Sequence, residues 1–491
     1  MTCVNAGHRG GVASGHPAAV DVGLAILRQG GSSVDAVLAM AFAQWVVNGP
    51  LCGPGGDLVI LHVAGDQATA YGGWSRTPFG FQVDGPIVMS GPAGAVVPGA
   101  LAGADAAWKA AGRLPWAVLF EDALELAGSH EVTPWMARSY TSVEERGHGG
   151  ALRAILDVDT PPAVGERVSC HRLGRTLRRI AAGGAAAFYE GPLAEELLQA
   201  CAAGGPPVTA EDFASVESAV SRAAEADLGD VRVAVTPAPS QGGITTRLLA
   251  VADPAAAAES RAFAEAVAPV TEQELTQRCV VGVPGTASSI ATDGETSAVV
   301  VHSLAGVQYG SGWVAGDTGV AFGNRAGTAL STRPDLPAAH PAPGAVLPHT
   351  LSAAWFRSAD RELLIATPGG DRQVQWLAQS GQRFRRGEPL EQIVTGPRWF
   401  VCPEGDRFGV PGGIGQEWFM FAEPGIEWAA DPAVAGYAVR RTDSVGGGLQ
   451  AVERNSIGWR VGSDPRAGGG ACTTADSGSH HEHTDGGQQD V

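Results

Sequence analysis

In Val283-Pro284-Gly285-Thr286-Ala287-Ser288-Ser289, a threonine hydroxyl follows a carbonyl that no side chain shields. A threonine hydroxyl is a poor nucleophile without a base beside it, and a chain cut before the threonine supplies one in its own freed α-amine. Attack of the Thr286 hydroxyl on the Gly285 carbonyl would give an ester, and water would then release the amine. With a pKa of about 7.7–8, that amine is suited to general-base work near neutrality. A second segment, Thr367-Pro368-Gly369-Gly370-Asp371-Arg372-Gln373, follows a strand-like run. Its two glycines let consecutive backbone N–H groups converge on one spot, as the holding of an oxyanion during acyl transfer requires. Taken singly, each segment has a plainer reading: Gly-Thr as a loop dipeptide, and Pro-Gly-Gly as a strand-ending turn.

The elements that must position these residues are partly legible. Pro17 opens a helix through Arg28, with Val20, Leu24 and Leu27 on one face and Gly30-Gly31 as its stop. Ser32-Ser33 caps a second helix to about Val47, apolar almost all round and therefore buried. Leu58 to Val63 reads as a strand, Trp108 to Gly128 and Arg175 to Ala202 as helical, Val231 to Thr236 as a strand and Pro237 to Gly243 as a turn. Thr296 to Val301, Gly319 to Phe322 and Leu363 to Ala366 are short β-type runs, so the second part is strand-rich. Between them, Ala255 to Cys279 is an Ala- and Glu-rich stretch that suits a surface helix or a loose linker. From Gly468 onward the composition predicts a disordered tail, in which His480-His481-Glu482-His483 reads as solvated rather than metal-binding.

With 44% hydrophobic and 17% charged residues among 491, the chain suits one large core. No apolar run approaches the roughly 20 residues of a membrane span. The first residues lack the basic stretch and apolar core of a signal peptide, which predicts a cytoplasmic protein. A net charge of −18 argues against nucleic-acid binding, which needs a basic footprint. Seven cysteines without a C-x-x-C pair read as reduced structural thiols. No metal or cofactor is expected.

Several blocks resemble the γ-glutamyltranspeptidase family of N-terminal-nucleophile hydrolases. They are Gly11-Val12-Ala13-Ser14-Gly15-His16-Pro17, Ala25 to Ala36, Val97-Pro98-Gly99, Gly112 to Trp116, Phe188 to Gly191, Pro239 to Gly243, Tyr309 to Gly312 and the Pro-Gly-Gly segment, in the family's order over roughly residues 10–400. The resemblance implies a four-layer αββα sandwich of two antiparallel sheets flanked by helices, an α/β (α+β) fold. It also implies Thr286 as the autoprocessing nucleophile, with Gly369 and Gly370 as the oxyanion hole. Residues 1–285 would form a large subunit and 286–467 a small one, staying associated after the cut, with 468–491 as the tail. A homo-oligomer of the processed pair is left open.

The departures bear on the substrate. Where the family usually shows Thr-Thr-His-x-Ser, this chain has Thr286-Ala287-Ser288-Ser289. The stretches matching the family's two grips on a substrate α-amino group are Leu304-Ala305-Gly306 and Asn324 to Thr328, and both grips are lost. His349-Thr350 replaces a serine pair that holds a carboxylate, and Arg76 approximates the arginine that pairs it; an arginine suits a carboxylate through a bidentate contact. Asp371, Arg372 and Gln373 resemble the acylase and amidohydrolase branch. The stretch from Gly243 to Thr286 is also shorter than usual. Arg76, Ser303, Asn324, His349, Thr350, Asp371 and Gln373 are thus the expected substrate-binding residues. The leading expectation is a threonine hydrolase or acyltransferase acting through an acyl-enzyme on a small carboxylate-bearing acyl compound. The alternatives are true γ-glutamyl transfer, C–C hydrolysis releasing an oxalyl-type keto-acid fragment in an actinomycete antibiotic pathway, and an unprocessed binding homologue.

Overall fold

Two seven-stranded sheets lie face to face. The computed structural model describes residues 3–7, 10–82, 90–278, 285–306, 308–332, 341–403 and 417–474. In one sheet the strand order is Gly470–Thr473, Gly11–Ser14, Thr286–Thr292, Thr296–Ser303, Asp57–Ala64, Gln67–Gly73 and Ala219–Arg222. In the other it is Cys3–Gly7, Gly458–Ser463, Gln450–Asn455, Arg361–Ala366, Ala353–Arg357, Arg232–Val235 and Ala224–Asp227. Every neighbouring pair in both sheets is antiparallel. Ile290, Val299 and Val301 face the second sheet's Ala353, Leu364 and Val452 in a buried inter-sheet core.

Helices cover the two outer faces, which completes the expected αββα layering. Pro17–Arg28 and Ser33–Val47 pack on the first sheet, and Gly243–Val251 and Arg372–Arg385 on the second, with Arg261–Arg278 packed against Gly243–Val251. Strands buried on both faces read as continuous apolar runs rather than as an alternation, and Thr296–Ser303 is buried at every position after its first. Ser33–Val47 is buried throughout, and its start is fixed by a capping box in which Ser32 Oγ accepts from Asp35 N while the Asp35 carboxylate accepts from Ser32 N.

Both sheets interleave strands from the two sides of residue 285. Thr286–Thr292 lies between Gly11–Ser14 and Thr296–Ser303, and Cys3–Gly7 is paired to Gly458–Ser463. A cut before Thr286 would leave every one of these ladders in place.

Several local expectations are revised. Trp108 to Gly128 is not one helix: Ala100–Ala111 stops at Gly112, and Pro115 leads into a 3₁₀ turn before Glu121–Gly128. Arg175 to Ala202 is likewise divided into His171–Gly183, Ala186–Tyr189 and Gly191–Ala202. Gly319 to Phe322 forms only an isolated bridge, Val314 to Ala321. The 255–279 stretch contains a helix whose Phe263, Ala264, Val267 and Leu275 are core residues, so it is no loose linker. The tail is ordered further than its composition suggests, because Gly470–Thr473 gains an edge pairing to Gly11–Ser14 through backbone groups that any residue carries. The histidine cluster at 480–483, Val283-Pro284 and Cys279 lie outside the described residues. A third, four-stranded sheet was not anticipated: Trp399–Pro403, Trp418–Ala422, Tyr437–Arg441 and Ala433–Val434.

Among the described residues no helix is long and apolar enough to cross a membrane. No group of three or more His, Cys, Asp or Glu among them is placed to hold a metal ion.

Candidate active site

Thr286 is the first residue of its strand and is 2% exposed. Strand alternation puts Thr286, Ser288 and Ile290 on the face toward the second sheet and Ala287, Ser289 and Ala291 on the face toward the helices. Gly285, Thr286 and Ser288 border a cavity of about 510 Å³. Pro368 and Gly369, just past the end of Arg361–Ala366, border it from the second sheet. Ser288 Oγ and Asn48 Oδ1, on two of the lining residues, are buried without a hydrogen-bond partner among the described residues.

The turn at Gly369-Gly370 has the form its composition suggests. Both glycines have positive φ, 144° and 61°, and a Cβ on Gly369 would lie 2.3 Å from the Trp376 ring. Their carbonyls point inward, accepting from Arg372 N at 3.1 Å, Gln373 N at 3.3 Å and Gln241 Nε2 at 3.2 Å. No hydrogen bond among the described residues uses either glycine's N–H. The turn also leads directly into the helix Arg372–Arg385, whose N-terminal dipole favours negative charge there. Gly369 borders the cavity, whereas Gly370 sits behind it.

On the helix side the Thr286 strand is held by a buried amide. Gln44 Nε2 donates to Ser289 Oγ at 2.5 Å, to Ser14 Oγ at 2.9 Å and to the Ser288 carbonyl at 3.4 Å, while its Oε1 accepts from Asn48 Nδ2 at 3.2 Å. On the other side Ser303, opposite Thr286 in the ladder, donates its hydroxyl to the Gly285 carbonyl and accepts from Ala305 N at 2.7 Å. The carbonyl that self-cleavage would attack is therefore polarised by a hydroxyl.

The other expected substrate residues lie elsewhere. Arg76 donates to the Asp212 carbonyl at 2.7 Å and stands over Phe79. Asn324 is wholly buried, boxed in by Gly94, Gly306 and Gly327. His349 Nε2 lies 2.9 Å from Asp57, whose carboxylate also accepts from Ser75 N at 2.7 Å and Arg325 at 3.1 Å. Burial alone would raise the Asp57 carboxyl, but His349 and Arg325 outweigh it and hold the group well below the usual carboxylate range. Thr350 and Gln373 act behind the turn: the Thr350 carbonyl accepts from Gln241 Nε2, and Gln373 Oε1 from Ser352 N. Asp371, also fully buried, precedes the helix. None of Arg76, Ser303, Asn324, His349, Thr350, Asp371 or Gln373 borders the cavity.

Sequence reasoning missed the residues that do. Arg138, Arg372 and Arg466 line it, and no aspartate or glutamate among the described residues does. Arg466 is committed to Glu423 at 2.6 Å and Asp464 at 3.1 Å. Arg138 is exposed and has no ion pair among the described residues, and Arg372 stacks over Phe400 at 4.4 Å. Leu51, Trp135, Trp376, Phe400, Phe421 and Val445 give the remaining wall its apolar character. Arg372 alone left a signal, as the cation between the two residues singled out beside the glycines.

A sandwich of this layering, with a hydroxyl residue at a strand start facing a diglycine turn across a cavity, defines a hydrolase or acyltransferase of the N-terminal-nucleophile kind. The chain belongs to the γ-glutamyltranspeptidase family, whose model, described as Gamma-glutamyltranspeptidase, matches residues 19–280 and 259–474. It is 31% identical over 462 residues to the oxamate amidohydrolase proenzyme of Klebsiella pneumoniae, covering 82% of this chain and 87% of that one. Against human glutathione hydrolase 5 proenzyme it is 30% identical over 254 residues, covering 47% of this chain and 42% of the relative. The fold matches the crystal structure of cephalosporin acylase from Bacillus halodurans with a TM-score of 0.79 at 21% identity, over 96% of both chains.

Proposed function

We propose that the chain cuts itself before Thr286 and then uses Thr286 as the nucleophile of an amide hydrolase or acyltransferase for carboxylate-bearing acyl compounds. The freed α-amine takes the proton of the Thr286 hydroxyl as it attacks the substrate carbonyl. The Gly369 N–H, with the helix dipole behind it, stabilises the oxyanion. Collapse expels the amine, protonated by the same α-amine, and leaves an ester on Thr286. Water or an acceptor amine then takes the acyl group. The observation that carries this reading is the single cavity shared by Thr286 and the Gly369 turn, lined among the described residues by arginines and by no carboxylate.

That lining also favours an amidohydrolase over γ-glutamyl transfer, because a glutamyl ammonium would find no anionic partner among the described lining residues. The relative named for oxamate, an amide beside a carboxylate, supports the same direction. The test is an acid quench during turnover of oxamate and of glutaryl p-nitroanilide, followed by mass spectrometry. The reading requires acyl mass on the fragment that begins at Thr286. Turnover with no adduct on that fragment, or an adduct at another residue, contradicts it.

A further inference from the structure

A second cavity, of about 570 Å³, lies among the helices that cover the first sheet. On two segments it is one residue away from the Thr286 cavity: Gly15 and Asn48 line that one, and their chain neighbours His16 and Val47 line this one. Four carboxylates border it, Asp21 from Pro17–Arg28, Asp122 and Glu125 from Glu121–Gly128, and Glu131 from the short strand His130–Glu131. Asp122 is half-buried and the other three are exposed. None of the four side chains has a hydrogen bond or ion pair among the described residues. Burial, with Glu125 and Glu121 adding to it, raises the Asp122 carboxyl, as happens where like charges crowd without a counter-ion. Arg167 is the one lysine or arginine among the described lining residues, and its guanidinium is turned to Ser129, donating to Oγ at 2.9 Å and to the carbonyl at 3.3 Å.

An acidic cluster alone would be a solvated face. Two buried histidines in the same lining make it a site. His16 and His130 are 5% and 3% exposed, and Nε2 of each has no hydrogen-bond partner among the described residues. In both rings Nδ1 is spent on nearby backbone, which fixes the tautomer. His16 Nδ1 accepts from Ala18 N at 3.2 Å, so the ring proton sits on Nε2. His130 Nδ1 lies 2.9 Å from the Leu126 carbonyl, which can only accept, so the proton sits on Nδ1 and Nε2 carries the lone pair. Burial keeps both rings neutral, holding His16 down to about 4. The pair thus offers one N–H donor and one nitrogen acceptor, and buried groups of this kind are costly to leave unmatched. The flanking helices add the same polarity. Glu125 and Leu126 lie in the last turns of Glu121–Gly128, whose negative pole favours a cation, and His16 caps the positive pole of Pro17–Arg28.

We propose that this cavity binds an organic cation of the amino-alcohol class, its ammonium among Asp21, Asp122, Glu125 and Glu131 and its hydroxyl against His16 and His130. A hydroxyl both accepts and donates, so it answers the two ring nitrogens at once. The ammonium supplies the countercharge that the carboxylates lack. A bare metal ion does not match: no three of these groups are placed to ligate one, and a His16 Nε2 that carries hydrogen has no lone pair to give. The site uses none of the residues assigned to acyl transfer and stands independently of that reading.

The experiment is isothermal titration calorimetry of the purified full chain, near neutral pH, with 1,3-diamino-2-propanol. Saturable binding with a Kd of about a millimolar or tighter is expected. 1,3-Diaminopropane, which lacks only the hydroxyl, should bind about five-fold more weakly. Asp122→Asn with Glu125→Gln should weaken the amino alcohol about ten-fold, while Glu225→Gln with Asp227→Asn, exposed on a distant strand, should leave it unchanged. Circular dichroism checks both double variants, and Glu125→Gln alone gives the same reading at about three-fold if the pair does not fold. No saturation by about 10 mM overturns the inference, as does equal binding of the two amines. Equal weakening by the distant pair would mean that the acidic surface attracts amines without a site. Calcium chloride binding more tightly than the amino alcohol, and displacing it, would give the carboxylates to an inorganic cation and overturn the inference too.

Discussion

Two buried polar clusters lie near the ends of the strands on either side of Thr296–Ser303, and they differ in where their charge goes. In the first, Asp57, Arg325 and His349 satisfy one another, with side chains no more than 5% exposed and no contact with the cavity. In the second, Thr286, Ser288, Asn48 and the Gly369 turn leave hydroxyl, amide and N–H groups facing a cavity bordered by cations. Closed clusters hold the fold together, whereas open ones are available to a ligand. Resemblance alone placed substrate binding at the first, through His349 and Asn324, which do not border the cavity; the function proposed above uses the second, where Arg138 is the exposed cation.

Substitutions should separate the two. Asp57→Ala strands a buried arginine, so unfolding stability should fall by about 3–5 kcal/mol. In chemical denaturation this should appear as a lower midpoint, while the folded fraction keeps its KM. A large KM increase with unchanged stability would return Asp57 to the substrate site. Gly369→Ala should do the reverse, lowering kcat by about 10²–10³-fold through the lost oxyanion geometry and the collision with Trp376. Steady-state kinetics beside a melting curve will tell whether the loss is catalytic. Arg138→Met should raise KM for carboxylate-bearing substrates about ten-fold and leave KM for a neutral analogue nearly unchanged, as one lost charge-assisted contact implies. Equal changes for both would mean that Arg138 does not pair the carboxylate.

The smallest effect concerns the helix side of the Thr286 sheet. His302 is wholly buried, accepts from Trp45 Nε1 at 3.2 Å and is pushed down to about 3 by burial. It therefore stays neutral in the fold, while in the unfolded chain it binds a proton below about 6.5. Its contribution is fully present above pH 6.5 and is lost as pH falls toward 3, with a limiting slope of about 1.4 kcal/mol per pH unit. Denaturation midpoints measured from pH 7 to 5 should fall less steeply in His302→Asn than in the natural chain. An identical slope would show that other groups set the acid sensitivity.

How much of this was legible follows from how local each signal is. Pro17–Arg28 and Ser33–Val47 agree with the sequence reading because Pro17, Ser32 and Asp35 are capping residues that act within one turn. The diglycine turn was legible for a similar reason: its φ values require what glycine supplies. The cavity wall was not, because Trp135, Arg138, Arg372, Phe400 and Phe421 converge only through the tertiary fold. Residues next to matched blocks misled for a geometric reason: neighbours along a strand or the first turn of a helix face different directions. Asp371 and Gln373 do not border the cavity, whereas Arg372 between them does. The helical breaks near Pro115 and Gly184 were visible residues whose local effect outweighed the apolar pattern around them.

The central claim is that Thr286 makes itself the new terminus of a chain whose two parts remain interleaved. Intact mass spectrometry of the purified protein tests it directly, with Thr286→Ala beside it. The account predicts two fragments, residues 1–285 and 286–491, that co-elute under native conditions, and a single uncut chain for Thr286→Ala. An uncut, active natural chain, or cleavage that persists in Thr286→Ala, would contradict it.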